Sequence, residues 1–248
     1  MISKRTWISA ALVATTAAGS ATAEEIGTAG SMGTPESDSA LAPGKRLGPG
    51  SVVLAADRLF GVHMWKVKSS GGGVDSQEKG TEVDLLLAGR GTTPGQLPRL
   101  AFDWVGTHGV SLGGAIGYTS ETTSRTTNGA TADGPKSSLF LFAPRLGYLM
   151  TMGPKSAFWP RAGVTWYSQK TDVQTTGTQV ETFTTTGLQA NVEAMFFLGL
   201  TPSLGFLVGP FYDLSLSGKR KVEGPRAAPE VDVKPSDLGL AVGVAGGF

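Results

Sequence analysis

The chain has no cysteine among its 248 residues, so it can hold neither a disulfide framework nor a thiolate site. It has only two histidines, His63 and His108, far apart in sequence, and without cysteine they do not make a metal centre. It has almost no net charge. The formal +1 becomes −1, with 19 basic against 20 acidic residues, once Lys4 and Arg5 are removed with the leading segment. A nucleic-acid partner needs a basic surface and is therefore not expected. After residue 23 there is no apolar run long enough for a membrane helix, so a membrane could be crossed only with strands.

The first 23 residues are expected to be a secretory signal peptide. Lys4 and Arg5 supply the positive start, Trp7 to Ala18 the short apolar run, and Ala21, Thr22 and Ala23 the small-residue cleavage site. Residues 24–50 are Gly, Ser, Thr, Ala and Pro with scattered charges and no apolar period, which reads as a flexible periplasmic leader. Residues 51–248 then form one domain, about 200 residues being a usual size for one.

The last stretch carries the clearest pattern. Leu238, Leu240, Val242 and Val244 alternate with Gly239, Ala241, Gly243 and Ala245, and the chain stops on Phe248. A period of two is a strand. One face is large and apolar, and the other has almost no side chain. Lipid outside and a crowded interior inside suit such a strand.

The same alternation predicts seven more strands, at residues 52–67, 98–105, 110–118, 139–150, 158–169, 187–198 and 204–217. In the first, Val52, Leu54, Phe60, Val62 and Met64 share a face opposite Asp57, Gly61 and His63. Arg58 lands on the apolar face there, either at an interface or because a bulge shifts the register. The connections alternate between long and short. Polar segments at 68–97, 119–137, 170–185 and 218–237 are the long ones, and tight turns at 106–109, 151–156 and 199–203 the short ones. Eight strands with short turns at one end and long loops at the other match an all-β, eight-stranded antiparallel transmembrane β-barrel. A short apolar insert at 83–88 would make a ninth strand and break the alternation, so it reads as a strand-like extension above the membrane.

The segments PRLAFDWV, SLGGAIGY and FAPRLGY, within this architecture, resemble the small outer-membrane barrels of the OmpA/OmpX/OmpW type of Gram-negative bacteria. The resemblance implies an outer-membrane location, contact with outer-membrane lipid and lipopolysaccharide, a monomer, and delivery by the barrel-assembly machinery, with terminal Phe248 as the assembly signal.

Parity assigns seven charged residues to the interior: Asp57, Arg99, Asp103, Arg145, Arg161, Glu193 and Asp213. An Arg facing lipid at the bilayer midplane would cost about 2–4 kcal/mol, which turns these residues inward. Eight strands leave room for side chains and hardly for a channel, so the set is expected to pair as a plug. The aromatics Trp65, Trp104, Trp159, Trp166, Tyr118, Tyr148, Tyr167 and Tyr212 read as interfacial girdles.

Other chemistry is thin. His63, with a serine and an acid, could in principle form a hydrolytic triad acting on lipid, but no motif supports one. Gly71, Gly72 and Gly73 precede no helix and are not a phosphate cradle. No cofactor, metal or catalytic residue is expected. The expected role is structural or surface-exposed. Alternatives are OmpW-like passage of small hydrophobic molecules through a lateral opening and, further off, a lipid-modifying enzyme. A soluble lipocalin-type barrel would reverse the observed polarity, with charges outside.

Overall fold

The computed structural model describes residues 47–71, 74–85, 93–127, 130–153, 155–174, 180–201, 203–225 and 228–248. The expected signal peptide and most of the leader lie outside them, as do residues 86–88 of the apolar insert and Gly72 and Gly73.

Ten strands build one antiparallel sheet: β1 (Val52–Gly71), β2 (Val74–Leu85), β3 (Arg99–Val105), β4 (Val110–Thr127), β5 (Ala130–Tyr148), β6 (Met150–Gly153), β7 (Ser156–Gln174), β8 (Val180–Gly199), β9 (Leu204–Glu223) and β10 (Ala228–Gly247). β10 pairs with β1 and closes the ring. Two staves of the barrel are composite. β2 and β3 share one edge of β1, β2 against its far half from Phe60 and β3 against its near half up to Asp57. β6 continues β5 along the edge of β7. Eight staves result, a number whose bore side chains can fill.

Alternation governs every wall. In β3, Leu100, Phe102 and Trp104 are each 52% exposed, while Arg99, Ala101 and Asp103 between them are buried. A band of outward apolar side chains runs round the barrel through Leu54, Met64, Leu112, Phe142, Val192, Leu214 and Leu240. The base, where the barrel begins and ends, is stitched by backbone bonds between Val52 and Phe248, each N–H donating to the other's carbonyl at 3.0 and 2.9 Å. The turn from β3 to β4 closes with Gly106 N–H on Val110 O at 2.7 Å, and Gly109 sits at a positive φ of 82°.

The polar segments read as long loops are mostly strand. β8, β9 and β10 are each 20 residues long, about twice the 9–11 needed to cross a bilayer. Their far halves stay paired: Thr182 lies opposite Glu223, and Thr184 opposite both Lys170 and Lys221. These stretches carry polar side chains on both faces, so no apolar period marks them as strands. Thr nevertheless favours the extended backbone. The insert is likewise part of a strand up to Leu85, paired with β1.

Strand β1 contains the main irregularity. Ala56 pairs with Val244 and Phe60 with Val242, so β1 takes four steps where β10 takes two. The bulge therefore holds two extra residues and preserves parity beyond it. Arg58, at φ 56°, is the one non-glycine residue with positive φ among those described. The open question at Arg58 is thus answered by a bulge, and its side chain is buried.

Candidate functional site

The seven charged residues assigned inward by parity all lie buried in the lumen, none more than 5% exposed. The bulge adds Arg58 to them, giving four arginines against four carboxylates. Arg145, on β5, reaches across to β3 and β1: its Nε and Nη2 donate to Asp103 at 3.0 and 2.5 Å, and its Nη1 to Asp57 at 2.5 Å. Arg58 forks onto Asp213 of β9 at 2.5 and 3.1 Å and onto Glu193 of β8 at 2.8 Å. Arg161 stands in ion pairs, its Nη2 2.6 Å from the other Glu193 oxygen and its Nη1 3.4 Å from Asp57. Arg99 lies 3.5 Å from Asp213. Glu193 and Asp57 thus tie the two forks into one layer that spans the bore.

Sequence reasoning missed Arg58 because its parity points to lipid. The available signal was that very conflict, a charge on an apolar face next to Asp57, which only a bulge resolves. A left-handed backbone is unfavourable for a residue with a Cβ, and the five hydrogen-bond donors of a buried guanidinium offset that cost when they are used in forked pairs. Phe211 lies beneath, 4.0 Å from the guanidinium carbon.

Glycines make the room. A Cβ on Gly113 would stand 2.2 Å from Phe102 O and 2.3 Å from Asp103 Oδ1, where the carboxylate receives Arg145. Gly113→Val is therefore expected to displace Asp103 and lower the unfolding midpoint, read by gel shift of unheated against heated protein. A midpoint equal to the wild type's would show that the wall gives way there freely. Gly147 does the same for Trp159 and the Arg161 stem, at 2.7 and 3.0 Å.

Apolar layers lie on both sides of the charges. Toward the base, Leu47, Val53, Val105, Leu149, Trp159, Phe197 and Leu207 are buried together. Toward the far end come Leu139, Leu141 and Tyr167. Trp159 and Tyr167 are thus interior residues and not girdle residues, and Trp159 donates Nε1–H to Ser111 Oγ at 2.9 Å. Trp65 also turns inward, its ring against Gly80. The reason is parity, which outranks residue type: position 159 shares the face of Arg161, and 167 that of Thr165. Trp104, Trp166, Tyr118, Tyr148 and Tyr212 do face outward.

One further element fills the bore. Between β2 and β3, the chain around the short 3-10 turn Pro94–Gln96 folds inward, with Thr93, Gly95 and Leu97 buried. Arg58 Nη1 donates to Gly95 O at 3.0 Å, and Thr93 Oγ1 donates to Asp237 at 3.0 Å. Asp237 also stands 3.4 Å from His63 Nδ1. No periodicity announces this segment, which sits in a stretch read as external loop. His108 lies in the exposed turn at the base. Nearer the far end a small recess of about 190 Å³ is lined by Gln169, Thr171, Phe183, Thr185 and Arg220. Among the described residues no group of three or more His, Cys, Asp or Glu is placed to hold a metal ion.

An antiparallel eight-stave barrel with an apolar outer band and an ion-paired interior has the architecture of the small outer-membrane barrels. Among solved structures it is similar to the outer-membrane protein OprG from Pseudomonas aeruginosa, with 11% identity over 83% of this chain and 98% of that one and a TM-score of 0.51. The N-terminal β-barrel domain of Pseudomonas aeruginosa OprF gives 12% identity over 81% of this chain and 99% of that one, with a TM-score of 0.42. Ail, the attachment invasion locus protein of Yersinia pestis, gives 11% over 79% and 99%, with 0.38. The likeness to OprG bears on fold alone. No family model and no curated protein sequence matches the chain.

Proposed function

We propose that this chain is an integral outer-membrane protein of a Gram-negative bacterium, sealed through its bore and serving a structural or surface-exposed role. The observation that carries this is the charge layer: four arginines and four carboxylates, mutually paired and lying between apolar layers. Ions crossing the bore would have to break that layer, and an uncompensated buried charge is strongly unfavourable. Purified protein in planar bilayers is expected to show no large, stable conductance. Observing one would sink the sealed-barrel proposal.

Both ends of the barrel then lie in the periplasm and the paired hairpins project outside the cell. A peptide tag inserted after Gly224 should be labelled on intact cells, and one at Gly153 should be silent. The reverse pattern would invert the topology. Assembly is expected to use the barrel-assembly machinery, with Phe248, 74% exposed at the closing seam, available to it.

Enzymatic action on lipid is not proposed. His63 and Thr93, which flank Asp237, are 2% and 0% exposed, and this burial favours a structural role for them. One observation favours a second reading, lateral passage of small hydrophobic molecules. Among the described residues β2 pairs only with β1, and β4 beyond Ile116 pairs only with β5, so the wall is unstitched between them toward the far end. Uptake of a small apolar dye into vesicles that stay impermeable to ions would support that reading.

A further inference from the structure

On the outer wall, immediately beyond the apolar band, four lysines meet across three adjacent strands. Lys66 of β1 is the direct cross-strand partner of Lys79 of β2, and Lys68 of β1 is the direct partner of Lys234 of β10. All four are exposed, on the face that carries Val62 and Met64 on β1 and Leu238 and Leu240 on β10. Met64 lies opposite Leu238, and Lys66 follows two residues later, so the first lysine stands about 7 Å above the last apolar pair.

Like charges directly opposite each other on a sheet are destabilising, and here two such pairs are stacked. Three other lysines of the far wall are compensated: Lys170 by Asp172 at 3.7 Å, Lys219 by Glu230 at 3.1 Å and Lys221 by Glu223 at 2.7 Å. No carboxylate comes within 4 Å of any of the four among the described residues. Asp232 and Asp75, the acids on that face beyond them, are register partners of Ser70, one outward position further out. The cluster therefore concentrates positive charge at one sector and one height, where the wall leaves the hydrocarbon.

We infer that Lys66, Lys68, Lys79 and Lys234 form a docking surface for a phosphate-bearing lipid of the outer leaflet, the phosphorylated headgroup of lipopolysaccharide. This rests on the proposed topology, which puts the cluster at the headgroups of that leaflet. The acyl chains then lie along Val62, Met64, Leu238 and Leu240 while the phosphates bridge the two lysine pairs. The headgroup supplies the anion the wall lacks, and repulsion becomes attraction.

The test folds the full mature chain in neutral detergent and titrates it with bisphosphorylated lipid A, reading the unfolding midpoint by gel shift. The midpoint is expected to rise with lipid, and the rise to shrink with added salt. In K66Q/K68Q/K79Q/K234Q the apparent affinity should fall about a hundredfold, since each lysine near an anionic surface contributes about fivefold or less. Without lipid the same variant should be at least as stable as the wild type, because the repulsion is gone. K170Q/K219Q/K221Q, which removes only compensated lysines, should keep the response. An equal response in the quadruple variant would overturn the site. So would equal loss in the control variant, or a quadruple variant that does not fold in detergent. The same rise with dephosphorylated lipid A would mean that the acyl chains alone dock, and the same rise with inorganic phosphate would mean a free-anion site. Either overturns the inference. A wild-type chain that gives no heat-modifiable species overturns the barrel itself, a failure seen before any lipid is added.

Discussion

Replacing Arg145 with leucine is expected to cost about 3–5 kcal/mol of stability, the penalty for leaving a buried charge without its partner. Arg145 is the one arginine within 4 Å of Asp103 among the described residues, holding it through two bonds at 3.0 and 2.5 Å. Asp57 would keep Arg161 at 3.4 Å, but Asp103, 1% exposed, would be stranded. The lumen would change from four positive and four negative groups to three and four. A loss of that size is a large part of the roughly 5–15 kcal/mol that holds a typical domain together. The double variant Arg145→Leu/Asp103→Leu removes both charges and should recover much of the loss, and a double-mutant cycle isolates the pair. Denaturant titration of the folded band measures all of these. A single variant within 1 kcal/mol of the wild type would show that water or another cation reaches Asp103, which would remove the ground for a sealed bore.

How much of this was legible in sequence depends on what each residue's environment imposes. Where a strand separates an apolar outside from a crowded inside, the period of two is unmistakable, and it alone assigns Asp103, Arg145, Glu193 and Asp213 to the inner face, where they lie buried. Where both faces of a strand are polar, as with Thr182 and Thr184 on one face of β8 and Glu181 and Thr185 on the other, nothing in the side chains distinguishes strand from loop. The barrel wall therefore extends well past the segment that alternation predicts. Trp159 and Tyr167 show a different limit. An aromatic at a strand end suggests a girdle, yet each sits on the inner parity and each is buried.

The inward turn of Arg58, for which the sequence left a bulge as one of two readings, and the segment around Gly95 were hard to read for a shared reason. Both depend on a break in the sheet. β3 stops pairing with β1 at Asp57, and β2 resumes at Phe60. The two positions between them, Arg58 and Leu59, fall at the break between β2, which ends at Leu85, and β3, which begins at Arg99. Arg58 turns in through its bulge and Gly95 O accepts its Nη1. A two-residue bulge restores parity, so the flanking pattern carries no trace of it. The only trace is a charge where lipid should be.

The outer face makes an equally strong demand, and Val242→Arg should reveal it. Val242 lies mid-strand in β10, opposite Phe60 on one side and Val208 on the other, with Leu240 57% exposed on the same face. Near the centre of the apolar band an arginine is expected to cost about 2–4 kcal/mol, and the cost falls to about 0–1 near an interface. Ser236, on the same face of β10 and beside Lys66, is the internal control. Ser236→Arg should cost no more than about 1 kcal/mol, from the like-charge pair it makes with Lys66, and equally in detergent and in bilayers. The contrast matters more than either value. In detergent micelles, which deform around a charge, the Val242→Arg defect should be smaller than in lipid vesicles, because the penalty belongs to the hydrocarbon and not to side-chain packing. Fractions of heat-modifiable protein recovered from vesicles and from micelles give both numbers. If Val242→Arg folds into vesicles as well as Ser236→Arg does, β10 does not face lipid there. The alternation that closes this chain would then have to be explained by a protein partner on the outer wall.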